Sequence, residues 1–529
     1  MGHGAGPRPG LRGALSGAVR GALIGLLAAA VALGVAELIA AITGPLGSPV
    51  VAVGGSAIDL TPIPVKDFAI VHFGSHDKTV LVTGILILLA AFAVVIGILA
   101  RRWLAAGLAG LAVFGVLGVS AVLTRPDADG ADVAPTLAGV AVAMITLVIL
   151  ARADRDGKIT LRASEPEPAG LAESAAGRRA FLVAGAGAAV VAAASGGAGD
   201  LLLRRFSATT ARNQVQLPAT ARQARPLPAG AELKIPGLSS FYTPNASFYR
   251  VDTDLVLPQV SPENWTLRIG GMVEREIELS FADLLRLPLT EADITLVCVS
   301  NEVGGPYAGN ARWLGASLPA LLRRAGIQRG ADQVLSTSTD GMTISTPTAA
   351  IMDGRTALLA VGMNGKPLPI AHGFPARMVV PGLYGYTSAT KWVTKLEVTT
   401  FAQQKAYWTQ RGYAAVAPIK TESRIDVPQP LASVKAGQVP VAGVAWAPHR
   451  GIAAVEVNVD GGPWQKARLT AADGIDTWRQ WVWNWDARPG LHTLQVRATD
   501  GTGATQPPGR AQPFPNGASG WDSTVVTVT

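Results

Sequence analysis

The sequence predicts a chain in two halves: an N-terminal all-α transmembrane bundle of about five spans, then an outer half of short β-rich runs ending in an all-β module. Three observations carry this. Only 16% of the 529 residues are charged and 49% are hydrophobic, which excludes intrinsic disorder and argues against a purely soluble protein. Apolar stretches long enough to cross a bilayer, which takes about 20 residues as a helix, all fall within residues 1–205. From Pro236 onward the texture changes to β-rich runs punctuated by Gly, Pro and regularly placed tryptophans.

Four spans are expected at residues 15–42, 79–100, 104–123 and 135–151, with a fifth, richer in Ala and Gly, at 180–197. The Gly185-Ala186-Gly187 run of the fifth has no preceding strand and no acidic partner downstream, so it reads as small residues in a membrane helix rather than a nucleotide loop. Arg8, Arg12, Arg20, Arg101, Arg102, Arg152, Arg155, Lys158, Arg162, Arg178 and Arg179 fall on one side of these spans. Asp59, Asp67, Asp77, Asp127, Asp129 and Asp132 fall on the other, with only Lys66, Lys78 and Arg125 against them. The positive-inside rule then puts the N-terminus inside and everything after the fifth span outside. This predicts a multi-pass cell-membrane protein whose outer half is extracytoplasmic, with the lipid bilayer as its first partner. Gly177-Arg178-Arg179-Ala180-Phe181-Leu182 resembles an internal twin-arginine export signal; the alternative is an ordinary positive stop.

The net charge of +8, from 45 Lys and Arg against 37 Asp and Glu, sits largely beside apolar segments, so no nucleic-acid partner is expected. None of the six histidines, His3, His72, His76, His372, His449 and His492, falls within a span. A single cysteine, Cys298, excludes an internal disulfide, an all-cysteine zinc site, an iron–sulfur cluster and a two-thiol haem attachment; no haem is expected. Glu37 is an acid inside the first span and a candidate for function, since such residues are costly there.

Residues 206–235 are polar, rich in Gln, Thr, Arg and Pro, and read as a linker. The last hundred residues, 426–529, read as an immunoglobulin-like sandwich. Val455, Val457 and Val459 alternate toward one face before a hairpin turn at Asp460-Gly461-Gly462, and Trp481, Trp483 and Trp485 alternate likewise. Between them lies the candidate catalytic domain, 236–425.

Cys298 ends an apolar run, Ile294-Thr295-Leu296-Val297-Cys298, and enters a polar, Gly-rich loop, Val299-Ser300-Asn301-Glu302-Val303-Gly304-Gly305. A thiolate at a strand's end beside glycines can approach a bulky cofactor; taken alone, a buried structural cysteine is the blander reading. Downstream stand Met363-Asn364-Gly365-Lys366-Pro367-Leu368-Pro369, His372-Gly373-Phe374-Pro375-Ala376-Arg377-Met378-Val379-Val380-Pro381-Gly382 and Thr390-Lys391-Trp392. With Thr295-Leu296-Val297-Cys298, Gly309-Asn310-Ala311-Arg312-Trp313, Phe248-Tyr249-Arg250 and Trp265-Thr266-Leu267-Arg268-Ile269-Gly270-Gly271, the set closely resembles the molybdopterin domain of the sulfite oxidase family. The resemblance runs from Pro236 to Thr529 and leaves out the membrane half.

It implies an α+β molybdopterin domain followed by the family's dimerisation-type module, hence a homodimer through the C-terminal domain. It implies molybdenum-molybdopterin as cofactor, with Cys298 as catalytic thiolate ligand to the metal; soft sulfur suits such a redox ion. His372, Arg377 and Lys391 match positions that hold the cofactor, with the backbone of Ser388, Ala389 and Thr390, and with Tyr249 and Arg250 near the domain start. A guanidinium fork suits the pterin's phosphate. Asp340 is implied at the pterin ring edge. Tyr407-Trp408-Thr409-Gln410-Arg411-Gly412-Tyr413 resembles the stretch carrying the family's active-site tyrosine, which makes Tyr413 the candidate proton donor; Arg250 is the candidate to face an anionic substrate.

Two departures bear on the substrate. Sulfite oxidases carry basic residues soon after the cysteine, where this chain has Asn301-Glu302-Val303-Gly304-Gly305. Arg250-Val251-Asp252 replaces an Arg-Asn-His type run. An acid about 4 Å from an anion costs about 4 kcal/mol at intermediate dielectric, so sulfite stays open as the substrate. The expected function is a membrane-anchored oxidoreductase performing two-electron, oxygen-atom-transfer chemistry on a small molecule and passing electrons to a separate carrier, a cytochrome or quinone. The alternatives are a reductase of sulfoxide-like groups on the same cofactor and a non-enzymatic, membrane-tethered binding protein.

Overall fold

A computed structural model describes residues 11–44, 47–62, 65, 68, 73, 77–125, 130–156, 173–203 and 207–529. His3, His72 and His76, and Arg8, Lys66, Asp67, Asp127, Asp129, Lys158 and Arg162 of the charge asymmetry, lie outside the described residues. The chain forms two compact units, one holding the N-terminal helices and one running essentially from Ala208 to Thr529.

The first unit contains α1 (Leu11–Thr43), α2 (Pro49–Leu60), α3 (Asp77–Arg102), α4 (Leu104–Leu123), α5 (Ala134–Asp156) and α6 (Glu173–Leu203). Five of them, all but α2, are long and apolar enough to cross a membrane. α1 is central and packs on α3, α5 and α6. Small residues allow the approach: a Cβ at Gly25 would strike the Ala93 carbonyl, and one at Gly97 the Gly21 carbonyl, the kind of close backbone contact that replaces hydrophobic drive in lipid. Asp154 of α5 is buried and held by Arg20 of α1 (3.1 Å) and Arg101 of α3 (2.5 Å), so two of the arginines counted toward one side meet at one carboxylate. Glu37 accepts a hydrogen bond from Ser48 Oγ at 2.5 Å. Ser48 also caps α2, which begins with Pro49. Run length does not announce α2, because at 12 residues it is too short for a span.

In the second unit, the polar stretch expected as a linker carries a helix at Thr209–Gln214. It then lies along the domain, where the Ala221 amide donates to the Leu289 carbonyl (2.9 Å) and the Glu291 amide to that of Arg222 (2.8 Å). Such pairing is non-local and leaves no periodicity to read.

Two sheets build the middle part of the chain. One orders the strands Ile277–Ser280, Thr266–Gly271, Val393–Thr399, Gln333–Ser338 and Thr343–Pro347; the other runs Leu289–Val297, Ala308–Ser317, Leu358–Met363 and Lys366–Pro367, with Arg377–Val379 added to Leu358–Met363. Helices cap themselves locally: Ser280 accepts from the Asp283 amide (3.1 Å) while Asp283 accepts from the Ser280 amide (3.0 Å), a capping box that starts the helix Phe281–Arg286. A buried layer of Trp265, Leu267, Ile269, Leu359, Val361, Val393 and Leu396 fills one core. Phe248, Ile294, Leu296, Trp313, Phe374 and Val379 fill another.

The last part is two further sheets, one ordered Glu422–Val427, Gly437–Trp446, Arg479–Ala487, Arg468–Leu469, the other Ser433–Val434, Asp522–Val528, Gly490–Asp500, Ile452–Val459, Gln465–Lys466. Val441, Trp481 and Trp485 of the first share one core with Val455, Val457, Leu494 and Val496 of the second. The turn at Asp460-Gly461 has both residues at positive φ, 53° and 70°, the backbone that a two-stranded reversal asks for.

Candidate functional site

The strand Leu289–Val297 pairs antiparallel with Ala308–Ser317, Val297 opposite Ala308, and Cys298 is the first residue beyond the ladder. Its amide donates to the Tyr307 carbonyl (2.9 Å) and its carbonyl accepts from the Asn301 amide (3.0 Å). Asn301 is buried and its Oδ1 accepts from the Tyr307 amide at 2.7 Å. This closes the loop and fixes the thiol, which is 8% exposed. Burial pushes the Cys298 thiol up; hydrogen bonds from Ser300 and the Lys391 ammonium pull the other way. Glu302 points to solvent.

His372 ends the turn Ile370–His372, and Gly373 follows at φ +104°. A Cβ at Gly373 would lie 3.0–3.1 Å from Arg377 Cβ and Lys391 Cα, so both the φ and the space call for glycine, and this close approach gathers His372, Arg377 and Lys391. His372 Nε2 is 3.1 Å from the Asn245 carbonyl, and its ring packs edge-on to Phe248, centroids 5.5 Å apart. Phe248 also stacks on Tyr249 at 5.2 Å. Burial, then the Arg377 charge, push His372 down to about 4, so it is neutral at physiological pH.

Arg377 is 5% exposed. Its guanidinium donates to the carbonyls of His372 (3.1 Å), Ala389 (3.2 Å) and Met378 (3.4 Å) and lies 5.1 Å from the Trp313 ring centroid. Burial lowers it to about 10. Among the described residues no carboxylate pairs with it: a buried cation meeting neutral acceptors alone is costly unless an anion completes it. Burial and then the Cys298 charge raise the Tyr249 phenol, while Arg377 opposes. Tyr249, Cys298 and Arg377 therefore share one electrostatic neighbourhood.

The segment after the turn Gly385–Thr387 runs beside Arg377–Val379: the Met378 amide donates to Thr390 (2.8 Å) and the Val380 amide to Ser388 (3.2 Å). Ser388 Oγ turns inward to the Leu383 and Tyr384 carbonyls, both at 3.0 Å, and Thr390 Oγ1 to Ser336 Oγ at 2.5 Å. What this stretch offers a ligand is backbone. Lys391 Nζ pairs with Asp252 Oδ2 at 2.7 Å, and Arg250 grips the same carboxylate through Nε (2.7 Å) and Nη2 (3.1 Å).

Two expected residues stand differently. Asp340 sits in the turn between Gln333–Ser338 and Thr343–Pro347, where Oδ1 accepts from the Met342 amide at 3.2 Å; its neighbour Thr339 donates to the Trp392 carbonyl at 2.9 Å. Tyr413 is buried in an aromatic cluster with Tyr386 (5.5 Å), Trp408 (5.2 Å) and Phe514 (5.0 Å), in the same core as Val297 and Val299 on either side of Cys298. The sequence alone assigns no site role to Asp252, Ser300, Tyr307 or Tyr384. The Tyr384 phenol is raised by burial, with the Cys298 charge among the further causes. For Asp252 the signal was present, an acid two residues after Arg250; for the others only the fold supplies it.

Glu422 is buried beside this loop, and burial raises its carboxyl to about 8 against partial relief from Asn301 and Lys420. The native state thus holds a proton that the unfolded chain releases above 4.5. Stability is fully present below that value and falls as pH rises toward about 8, by on the order of 3–5 kcal/mol. In calorimetric melts at pH 5 and pH 8, Glu422→Gln is expected to lose that part of the pH dependence; an unchanged dependence would count against the assignment.

A family model described as the oxidoreductase molybdopterin binding domain matches residues 254–408, which include Cys298, Asp340, His372, Arg377 and Lys391. Mouse mitochondrial sulfite oxidase is 31% identical over 287 residues, 46% of this chain and 52% of that protein. Chicken sulfite oxidase is 32% identical over 287 residues, 46% of this chain and 62% of that protein. The uncharacterized oxidoreductase YuiH of Bacillus subtilis is 32% identical over 149 residues, 28% of this chain and 72% of that protein. The chain spans about half the length of the mammalian relatives it matches.

Proposed function

The chain belongs to the sulfite oxidase family of molybdopterin-dependent oxidoreductases, and from that premise we propose that it is a membrane-anchored enzyme of two-electron, oxygen-atom-transfer chemistry on a small substrate. The observation that carries this is Arg377, a buried guanidinium given only carbonyl acceptors within reach of His372 and Lys391. That set fits a ligand ending in a phosphate. The one thiol of the chain, fixed at a strand end in the same field, fits a soft metal.

In this reading Cys298 is the thiolate ligand to molybdenum, and His372, Arg377, Lys391, Tyr249 and the backbone of Ser388, Ala389 and Thr390 hold the pterin. Asp340 stands at the pterin edge through its turn beside Trp392. Tyr413 supplies a proton at the reacting centre and Arg250 faces the substrate. Bound molybdenum supplies the two-electron redox step and the oxygen exchange. The protein's work is to ligate, orient and exclude water. The partner this reading calls for is a separate electron carrier, a small cytochrome or a quinone. Full-length protein purified in detergent from a cofactor-competent host should reduce ferricyanide when given sulfite or a small sulfur substrate. No turnover by metal-loaded protein with any such donor or acceptor would sink the reading.

The five long apolar helices and the asymmetry of Arg and Asp around them support an anchor with the catalytic half outside the cytoplasm. Arg178 and Arg179, near the start of α6, suit export of a domain already folded around its cofactor. The C-terminal sheets serve as an immunoglobulin-like dimerisation module, on the family resemblance. Location has a direct test, because Cys298 is buried and contributes little labelling. A cysteine placed at Leu491, 70% exposed, should react with a membrane-impermeant thiol reagent on intact cells or spheroplasts. Labelling only after lysis would reverse the orientation.

A second reading, reduction of a sulfoxide-like group on the same cofactor, draws support from the Arg250–Asp252 pair, which occupies the cation expected to meet an oxyanion.

A further inference from the structure

Asp252 is a carboxylate that meets two cations of the site: Arg250 clasps both of its oxygens and Lys391 Nζ reaches Oδ2. Its side chain is only 4% exposed, against 36% for Arg250. A planar fork on a buried carboxylate is a pre-organised pair, not a solvated one. The residue stands two places after Arg250, where the resemblance leads one to expect a histidine. Lys391 is the residue that Gly373 brings close to Arg377, and Arg250 follows Tyr249, which stacks on Phe248 beside the His372 ring, so what Asp252 does to these cations is felt within the site. Glu302, in the loop after Cys298, adds no cation.

We propose that Asp252 is a specificity-determining residue: by holding Arg250 and Lys391 together it offsets the positive field beside Cys298 and selects a small uncharged substrate over a sulfite-like dianion. This rests on the enzymatic reading above and names the class of its substrate. A dianion entering such a site must break the Arg250 fork or lie against Asp252, and either costs binding. An uncharged sulfur centre does neither.

Asp252→Asn in the full-length holoprotein is the test, with molybdenum and pterin measured beside it. Inorganic sulfate, which does not turn over, serves as the anion probe by calorimetry. Sulfate is expected to bind about tenfold more tightly to Asp252→Asn than to wild type. The ratio of kcat/KM for sulfite to kcat/KM for dimethyl sulfide, an uncharged donor, should rise by a similar factor. Sulfate affinity that is unchanged or weaker in the variant overturns the proposal. So does micromolar sulfate binding by wild type, a measurement that needs no variant should Asp252→Asn not fold. Loss of molybdenum and pterin from wild type itself would defeat the enzymatic reading instead. The sulfate comparison still judges the role of Asp252 on the same protein.

Discussion

Cys298→Ser is expected to leave a folded protein that keeps its pterin and has lost turnover. The side chain is buried and has no disulfide partner, and the replacement changes its volume little, so the loop closed by Asn301 and Tyr307 should stand. A hydroxyl is a poor ligand for a soft redox metal, and its proton does not leave at neutral pH as a metal-bound thiol's does. The fall in turnover should exceed the roughly 10–100-fold that follows loss of a mere outer partner of a metal ligand. The thiolate-to-metal absorption should vanish with it. Pterin released from the variant, counted against circular dichroism of the same sample, separates loss of ligation from loss of fold. A variant that turns over within tenfold of wild type would remove Cys298 from the metal.

Arg377→Met is expected to do the opposite: the thiol stays and the cofactor does not. Hydrogen bonds to a charged group contribute about 1.5–3 kcal/mol each. Losing a guanidinium that could place two donors on a phosphate should weaken cofactor binding by at least about 100-fold. Arg377→Lys keeps the charge and loses the fork, and should fall between the two. The graded series distinguishes a phosphate site from simple packing on Trp313, because methionine and lysine have nearly the same volume and only lysine keeps the charge. Wild-type pterin content in Arg377→Met would contradict the site.

What could be read along the chain and what could not divide by the range of the interaction. Apolar helices are announced by run length, so the helices that contain residues 15–42, 79–100, 104–123, 135–151 and 180–197 were visible, while the 12-residue α2 was not. The reversal at Asp460-Gly461 and the inward tryptophans Trp481 and Trp485 are local patterns, and the fold contains them. The gathering of His372, Arg377 and Lys391 was approachable through motif resemblance, and Gly373 shows its physical cause. The Asp252–Lys391 pair spans 139 positions and carries no periodicity at all. The same holds for the pairing of residues 221–222 with Leu289 and Glu291. Asp340 and Tyr413 were approachable only through motif position: one sits in a turn and the other in an aromatic core, and no local pattern announces either arrangement.

The most direct measurement is molybdenum by elemental analysis together with released pterin, on full-length wild-type protein from a host that makes the cofactor. The account predicts about one metal and one pterin per chain. Correctly folded wild type carrying neither would contradict it, and would leave a membrane-tethered binding protein in its place.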